Sequence, residues 1–453
     1  MAEQKKRIVV NAFEMTCIGH QSFDLWRHPR SRATEYNTIK YWTDLAKTLE
    51  RGLFDAVFIA DVVGIYDVYK NSAAPAIEGA AQVPVNDPAT QISAMAAVTE
   101  HLGFGVTAAA TFEQPYTLAR RYASLDHLTE GRVGFNVVTS YLPSAAENQG
   151  LPTQIPHDER YDIADEFLDV CYKLWEGSWE DGAVIKDRER GIYADPSKVH
   201  PIGHKGKYFS VPGISLTEPS PQRTPVIFQA GASSRGQKFS GKHAEAVFIS
   251  ALRPDLTRVV TDRIRAAVEE QGRSRDDVKI LAMLSVIVDE TEEKAKAKYE
   301  EYKKYINLDS AQTILGGWSG VDLSQFDEDE VLNYVQTESI QSFLTPFTLQ
   351  AKDKKWTRKA IAEHTTLGGM GEVIVGDQLE RWIDEGGLDG INLAYHVTPG
   401  SFEDFIEYVV PELQKRGRYR TEYEGNTLRE NIFGKGHTKV ADSHPAAKYR
   451  GAY

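Results

Sequence analysis

Cysteine is scarce: 453 residues contain Cys17 and Cys171 only. Two distant thiols make no disulfide framework, and no CxxC or Cys/His spacing offers a zinc site. Long apolar runs are missing too, so no membrane-spanning helix is expected. The opening MAEQKKRIVVNAF has basic residues but no apolar stretch behind them, which reads as a cytoplasmic protein without a secretory signal. Positive charge is in deficit: 52 Lys and Arg face 65 Asp and Glu, a net −13. Nucleic acid and anionic membrane are therefore poor partners, because phosphate binding needs a basic excess. Several signatures are absent as well. No Walker loop or GxGxxG follows a strand, which leaves a dedicated dinucleotide site unsupported. No GxSxG elbow and no HExxH occur. His200 and His204 stand four apart, but Pro201 and Gly203 between them favour a loop over a metal-binding helix.

What is present is an ordinary globular balance, 41% hydrophobic and 26% charged. Short apolar runs at 8–12, 56–60, 104–108, 133–138, 226–229, 246–249, 280–288 and 390–394 read as buried parallel strands. Helical patterns separate most of them. In 38–52, Trp42, Leu45, Ala46 and Leu49 share a face, Thr38 is a candidate N-cap and Gly52 a stop. In 160–175, Tyr161, Ala164, Phe167, Leu168, Cys171 and Trp175 recur at helical spacing. Further helices are expected at 377–386 and 402–416. This alternation predicts a TIM (β/α)8 barrel. The alternative, an open doubly wound sheet, calls for a Gly-rich first turn where this chain has Phe13-Glu14-Met15-Thr16. Three long polar insertions, 62–89, 176–222 and 289–376, interrupt the repeat, and those following strands would enclose an active site. One barrel domain over 1–428 is expected, with 429–453 as a C-terminal arm packed on the surface or on a second subunit.

Polar residues gather where strands end: Glu14, Cys17 and His20; Asp61, Tyr66, Asp67 and Tyr69; Asn136, Thr139, Ser140 and Tyr141. In a barrel these positions converge on one face. QAGASSRG (229–236) could hold a phosphate through backbone N–H groups and hydroxyls, or be a plain turn. His157 opens an acid-rich helix start, or points a polar group into the mouth. Cys17 reads as an inert thiol or a nucleophile, His20 as structural or functional. The residues alone thus reach a barrel enzyme with a phosphate-bearing ligand.

The motifs NAFEMTCIGH (11–20), RGLFDAVFIADVVGIYDVY (51–69), QVPVNDP (82–88), LDHLTEGRVGFNVVTS (125–140), HDERYDIADEFL (157–168) and EPSPQRTPVIFQAGAS (218–233) carry a resemblance over nearly the whole chain. It resembles the bacterial-luciferase-like flavin monooxygenases, in the branch of nitrilotriacetate and dibenzothiophene-sulfone monooxygenases. Within that branch it looks most like the dimethyl-sulfide and long-chain alkane enzymes. The resemblance implies FMN, used as FMNH2 from a separate NAD(P)H:flavin reductase. O2 is the co-substrate through a C4a-peroxyflavin, and a homodimer or homotetramer is implied. It places Asp61, Asn136 and Ser140 along the flavin, His157 and Tyr161 near the phosphate and ribityl chain, and Gly231 and Ser233 in the phosphate loop. Cys17, His20, Tyr66, Gln82 and Tyr141 fall on the substrate side, with His20 the favoured proton donor and Cys17 pocket wall. The alkane enzyme has histidine where Tyr141 stands and histidines in the segment matching 309–316, which has none here; the sulfide enzyme shares the Tyr141 pattern and a GGWSG-like stretch (316–320). The chain between Val375 and Leu379 is shorter than is usual in the family. The expected reaction is oxygenation of a small organosulfide such as dimethyl sulfide. Alkane hydroxylation, oxidation of an aminopolycarboxylate and non-catalytic flavin binding are the alternatives.

Overall fold

The eight apolar runs become eight parallel strands: β1 (Val9–Met15), β2 (Ala56–Ala60), β3 (Gly103–Ala109), β4 (Val133–Val138), β5 (Val226–Ala230), β6 (Ala246–Ser250), β7 (Lys279–Ile287) and β8 (Gly390–Ala394). A computed structural model describes residues 6–231, 233–250, 253–331, 356–368, 372–375 and 378–452. Strand order follows the chain, and the sheet closes. Ala246 of β6 pairs with Lys279 of β7, and Val9 of β1 pairs with Gly390 of β8. Closure excludes the open sheet and gives the expected barrel. One short strand, Glu372–Val375, adds to β7 beyond its pairing with β8. β1 runs past its expected end through Phe13, Glu14 and Met15, because tertiary partners satisfy the buried Glu14 carboxyl.

Five helices matter most below: α1 (Ile39–Arg51), α2 (His157–Tyr172), α3 (Ser234–His243), α4 (Leu308–Ser319) and α5 (Leu428–Phe433). Thr38 caps α1 by accepting from the Tyr41 N–H, and Gly52 ends it. α2 starts three residues before the expected 160, since Pro156 ends the preceding loop and Asp158 and Glu159 suit the first turn.

Aromatic rings fill the barrel. Phe13 meets Phe248 at 5.0 Å and Phe58 at 5.7 Å, and Phe58 meets Phe228 edge-on at 5.4 Å. Gly134 makes this possible, because a Cβ there would lie 2.5 Å from the Phe228 ring. Leu428 and Ile432 of α5 enter the same core from the N-terminal end. α5 runs across the 428/429 boundary and closes the barrel floor. Arg429 binds Glu245 with two hydrogen bonds, 2.7 and 3.0 Å, and donates to the Thr224 carbonyl at 2.8 Å. Both partners are buried.

Insertions 62–89 and 289–376 follow β2 and β7. Tyr66, Tyr69 and Ala76 of the first pack with Ala311, Ile314 and Trp318 of the second, forming a separate apolar cluster over the mouth. Tyr69 donates to Asp309 at 2.7 Å across the pair. Insertion 176–222 follows a helix instead. It carries two hairpins, the second of which lies along α2, where Glu166 accepts from the Phe209 N–H at 2.8 Å, and it contributes nothing to the cavity described below. His200 and His204 take separate partners, Glu180 at 2.7 Å and Glu166 at 3.2 Å. Among the described residues no His/Cys/Asp/Glu group could hold a metal, and no helix is long and apolar enough to cross a membrane. Residues 332–355, 369–371 and 376 of the third insertion lie outside the described residues, as do Gly376 and Asp377 of the shortened stretch.

Candidate functional site

A cavity of about 250 Å³ opens at the C-terminal ends of the strands. Of the sequence-selected residues, His20, Tyr66, Gln82, Tyr141, Asp61, Asn136, Ser140, His157, Tyr161, Gly231 and Ser233 all line it. Cys17 does not. It sits in the turn after β1, where its N–H reaches the Met15 carbonyl at 2.7 Å and its backbone bridges to Val85. Burial, with the Glu14 and Asp61 carboxylates nearby, pushes its thiol well above the usual range and so favours the protonated form.

One end of the cavity brings together a helix N-terminus, a close-approaching glycine and a buried arginine. Ser233 caps α3 by accepting from the Gly236 N–H at 3.1 Å, so the helix N-terminus faces the loop after β5. Gly231 lets that loop approach closely, for a Cβ there would meet Gln229 Nε2 at 2.5 Å and Gly236 Cα at 3.2 Å. Tyr161 of α2 backs the loop and shares hydrogen bonds with Ser233 and Thr139. His157 packs edge-on to the Tyr161 ring at 5.3 Å. Asp165 of α2 binds Arg235, Lys242 and His243 of α3 at 2.7, 2.9 and 2.7 Å, which locks the two helices that form the cradle. Arg160 is 1% exposed, lines the cavity and donates to the Ser140 carbonyl. Sequence reasoning passed over it, although it lies inside the HDERY motif; helical periodicity cannot say which side of α2 faces a mouth. Ser140 itself sits at φ +55°, a left-handed conformation costly for a non-glycine residue.

The middle of the cavity carries unsatisfied polarity. Asn136 Nδ2 donates to Thr107 Oγ1 at 2.9 Å, and Thr107 donates to the Ile59 carbonyl at 2.7 Å. Asn136 Oδ1 has no partner, an acceptor held ready for a ligand donor. Burial, with Asp87 and Glu113 nearby, pushes the Asp61 carboxyl up to about 7. His20 is fully buried and its pKa falls to about 3 for that reason, so the ring is neutral near neutral pH. Its hydrogen bond goes to the Phe13 backbone, and Nδ1 is unpartnered. In that state the imidazole offers an acceptor and has no spare proton, which narrows the donor role expected from sequence. Behind it, burial raises the Glu14 carboxyl to about 7 despite hydrogen bonds from Thr398 at 2.7 Å and Tyr41 at 3.2 Å.

The far end is an aromatic cap. Tyr66 donates to Gln82 Oε1 at 3.0 Å, and Gln82 Nε2 donates to the His20 carbonyl at 2.8 Å. The Tyr66 and Tyr141 hydroxyls are hydrogen-bonded to each other. Trp318 of α4, another residue missed at the sequence level, lines the same wall. Burial raises Tyr66 far above its ordinary value and Tyr141 to about 12, so neither phenol is a ready acid.

A cavity at the C-terminal strand ends of a closed (β/α)8 barrel, with a helix N-terminus at one side and aromatic side chains at the other, is where an enzyme of this fold carries its active site. The chain belongs to the luciferase-like monooxygenase family, which matches residues 20–372, and it is a flavin-dependent monooxygenase. It is 56% identical to the dimethyl-sulfide monooxygenase of Hyphomicrobium sulfonivorans over 99% of this chain and 95% of that protein. It is 50% identical to the long-chain alkane monooxygenase of Geobacillus thermodenitrificans, over 98% of each. The solved structure of a riboflavin lyase holding modified FMN and riboflavin superposes with a TM-score of 0.92 at 35% identity, covering 98% of this chain and 100% of that one.

Proposed function

We propose that this chain is the oxygenase of a two-component system: it takes FMNH2 from a separate NAD(P)H:flavin reductase and oxygenates a small organosulfide such as dimethyl sulfide. The observation that carries this reading is the polarity of the cavity, an anion cradle at one end, an unpaired Asn136 acceptor in the middle and a closed aromatic cap at the other. FMN fits those groups. Ser233, the loop at Gly231, the start of α3, Arg160, Tyr161 and His157 would hold its phosphate and ribityl chain. Asn136, Asp61 and Ser140 would lie along the ring. Bound as FMNH2 with O2, the cofactor supplies one oxygen atom to the substrate while the other leaves as water.

The protein's own part is orientation and dryness. The two insertions pack together over the mouth and keep water from the reacting centre, where a reduced flavin with oxygen is otherwise wasted. His20 contributes an acceptor at the cavity wall and the Tyr66–Gln82 pair holds its backbone in place. A small dialkyl sulfide is uncharged and needs no charged recognition, which suits the apolar cap; oxygen inserted at one methyl carbon would give a hydroxymethyl sulfide, which falls apart to formaldehyde and methanethiol as the C–S bond breaks and the hydroxyl proton passes to sulfur. The 56% identity to a protein of that named activity supports the same substrate class.

The 50% identity to an alkane enzyme supports terminal hydroxylation as a second reading. A long alkane needs an open tunnel, whereas Tyr66, Tyr141 and Trp318 close this end of the cavity. The test is product analysis with purified protein, FMN, NADH and a flavin reductase. Formaldehyde and methanethiol from dimethyl sulfide are expected. A primary alcohol from hexadecane, with dimethyl sulfide untouched, overturns the sulfide reading. FMN binding with no oxidised product from either substrate moves the protein to the non-catalytic class.

A further inference from the structure

GGWSG (316–320) has no part in the cofactor cradle, yet it is placed with care. It ends α4, whose residues from Ser310 to Ser319 are all buried. Gly317 lets α4 press on the cap, since a Cβ there would lie 2.1 Å from the Tyr66 ring. Trp318 is next in sequence, 2% exposed and tilted against Phe23 at 6.5 Å. Its side chain is hydrogen-bonded to both Tyr66 and Tyr141.

Donor accounting orders the chain of bonds. Tyr66 spends its O–H proton on Gln82 Oε1, so in the tyrosine pair it accepts and Tyr141 donates. The indole N–H is donor only, and the phenol oxygens receive it. The phenol and indole protons of this wall are thereby committed within the protein, and the cap shows the cavity aromatic carbon. Such a wall measures length; it does not recognise polar groups.

We propose that Trp318 is a specificity-determining residue: by pinning the Tyr66–Tyr141 pair across the end of the cavity, it sets how long an apolar substrate can be. This inference rests on the sulfide reading above. In the FMN-loaded enzyme, short dialkyl sulfides fit against the wall and longer ones are excluded by the indole and the phenol rings behind it. Removing the indole opens depth, while replacing it by phenylalanine keeps most of the bulk but frees the tyrosines from their donor.

The experiment takes dimethyl, diethyl, dipropyl and dibutyl sulfide in turn. Binding to FMN-loaded protein is followed by calorimetry and turnover by kcat/KM, for wild type, Trp318→Ala and Trp318→Phe. Trp318→Ala is expected to move the length cut-off by at least one carbon per arm, each added methylene changing the preference by about 10-fold or more. Trp318→Phe should blur the cut-off without moving it as far, and FMN affinity should stay unchanged in both. A cut-off unaltered in both variants overturns the proposal, as does binding of no member of the series by wild type and Trp318→Ala alike. If wild type binds the series with a cut-off that Trp318→Ala shifts, yet oxidises none of it, the sulfide reading fails and the role of Trp318 stands. If Trp318→Ala does not fold, the Trp318→Phe series decides, and an identical length profile to wild type overturns the proposal.

Discussion

The two ends of the barrel differ in how their main buried charges are paired. At the floor, Arg429 and Glu245 meet in a two-point ion pair, and Asp55 accepts from Arg7 at 2.9 Å and from the Val10 N–H at 2.8 Å, with Arg420 added. At the mouth, Asn136 Oδ1 and His20 Nδ1 are buried without partners, Asp61 and Glu14 titrate near neutrality, and Ser140 and Gln82 hold left-handed backbone. A polar group satisfied within the chain serves the fold. One left unsatisfied costs stability and is available to a ligand. The contrast assigns the floor to stability and the mouth to chemistry.

The contrast breaks most visibly at the floor. Arg429→Ala leaves the Glu245 carboxylate buried without its cation, with only the Ile227 N–H still donating to it, and is expected to cost about 3–5 kcal/mol in urea unfolding. A loss below about 1 kcal/mol, the range of a surface pair, would mean that α5 does not seal the barrel. At the mouth, His20→Ala should keep FMN affinity and cut turnover about 100-fold, the lower range for losing one preorganised hydrogen-bonding group. Because the His20 pKa is about 3 in the fold, the wild-type pH–rate profile should show no inflection at the ordinary histidine value that the variant then loses. Finding one would restore His20 as a proton donor. Gly231→Val should weaken FMN binding about 10-fold, or 1.4 kcal/mol, by pushing the loop after β5 off Gln229. Equal FMN affinity in a fluorescence titration would remove this loop from the cradle.

The smallest effect is a pH slope. The folded fold keeps Asp61 protonated up to about 7, above the ordinary carboxyl value of 3.8. The folded state therefore binds more protons than the unfolded one between those values, and stability falls as pH rises through that window. Asp61→Asn removes this contribution. The variant should gain melting temperature relative to wild type at pH 8 and show little gain at pH 4. Glu14 adds a slope of the same sign, so the wild-type decline should shrink in the variant and not vanish. No difference between the two pH values would place Asp61 in contact with a compensating cation.

Much of this molecule was legible in the linear chain. Runs at 56–60, 133–138 and 390–394 coincide with β2, β4 and β8, because strands buried on both faces must be apolar throughout. The strand-end residues His20, Asp61, Asn136, Ser140 and Tyr141 line one cavity because a parallel barrel delivers every strand end to the same side. Arg160 and Trp318 were not legible, since their roles depend on which way α2 and α4 turn against neighbours far away in sequence. Cys17 was placed on the substrate side by resemblance and lies outside the cavity wall, because the turn after β1 is held by Val85, a residue no local pattern connects to it.

The amino-acid sequence by itself determined the number of barrel strands, their alternation with helices, the capping of α1 and the gathering of polar groups at one end. These follow from local periodicity and from burying apolar runs. Only the tertiary structure decided that β6 meets β7 to close the barrel, that α5 plugs its floor and that two insertions unite over its mouth. It alone decided that the Trp318 indole is bound to two tyrosines from other segments. Each of those depends on contacts between distant residues, whose geometry is settled when complementary surfaces pack and buried donors find their acceptors.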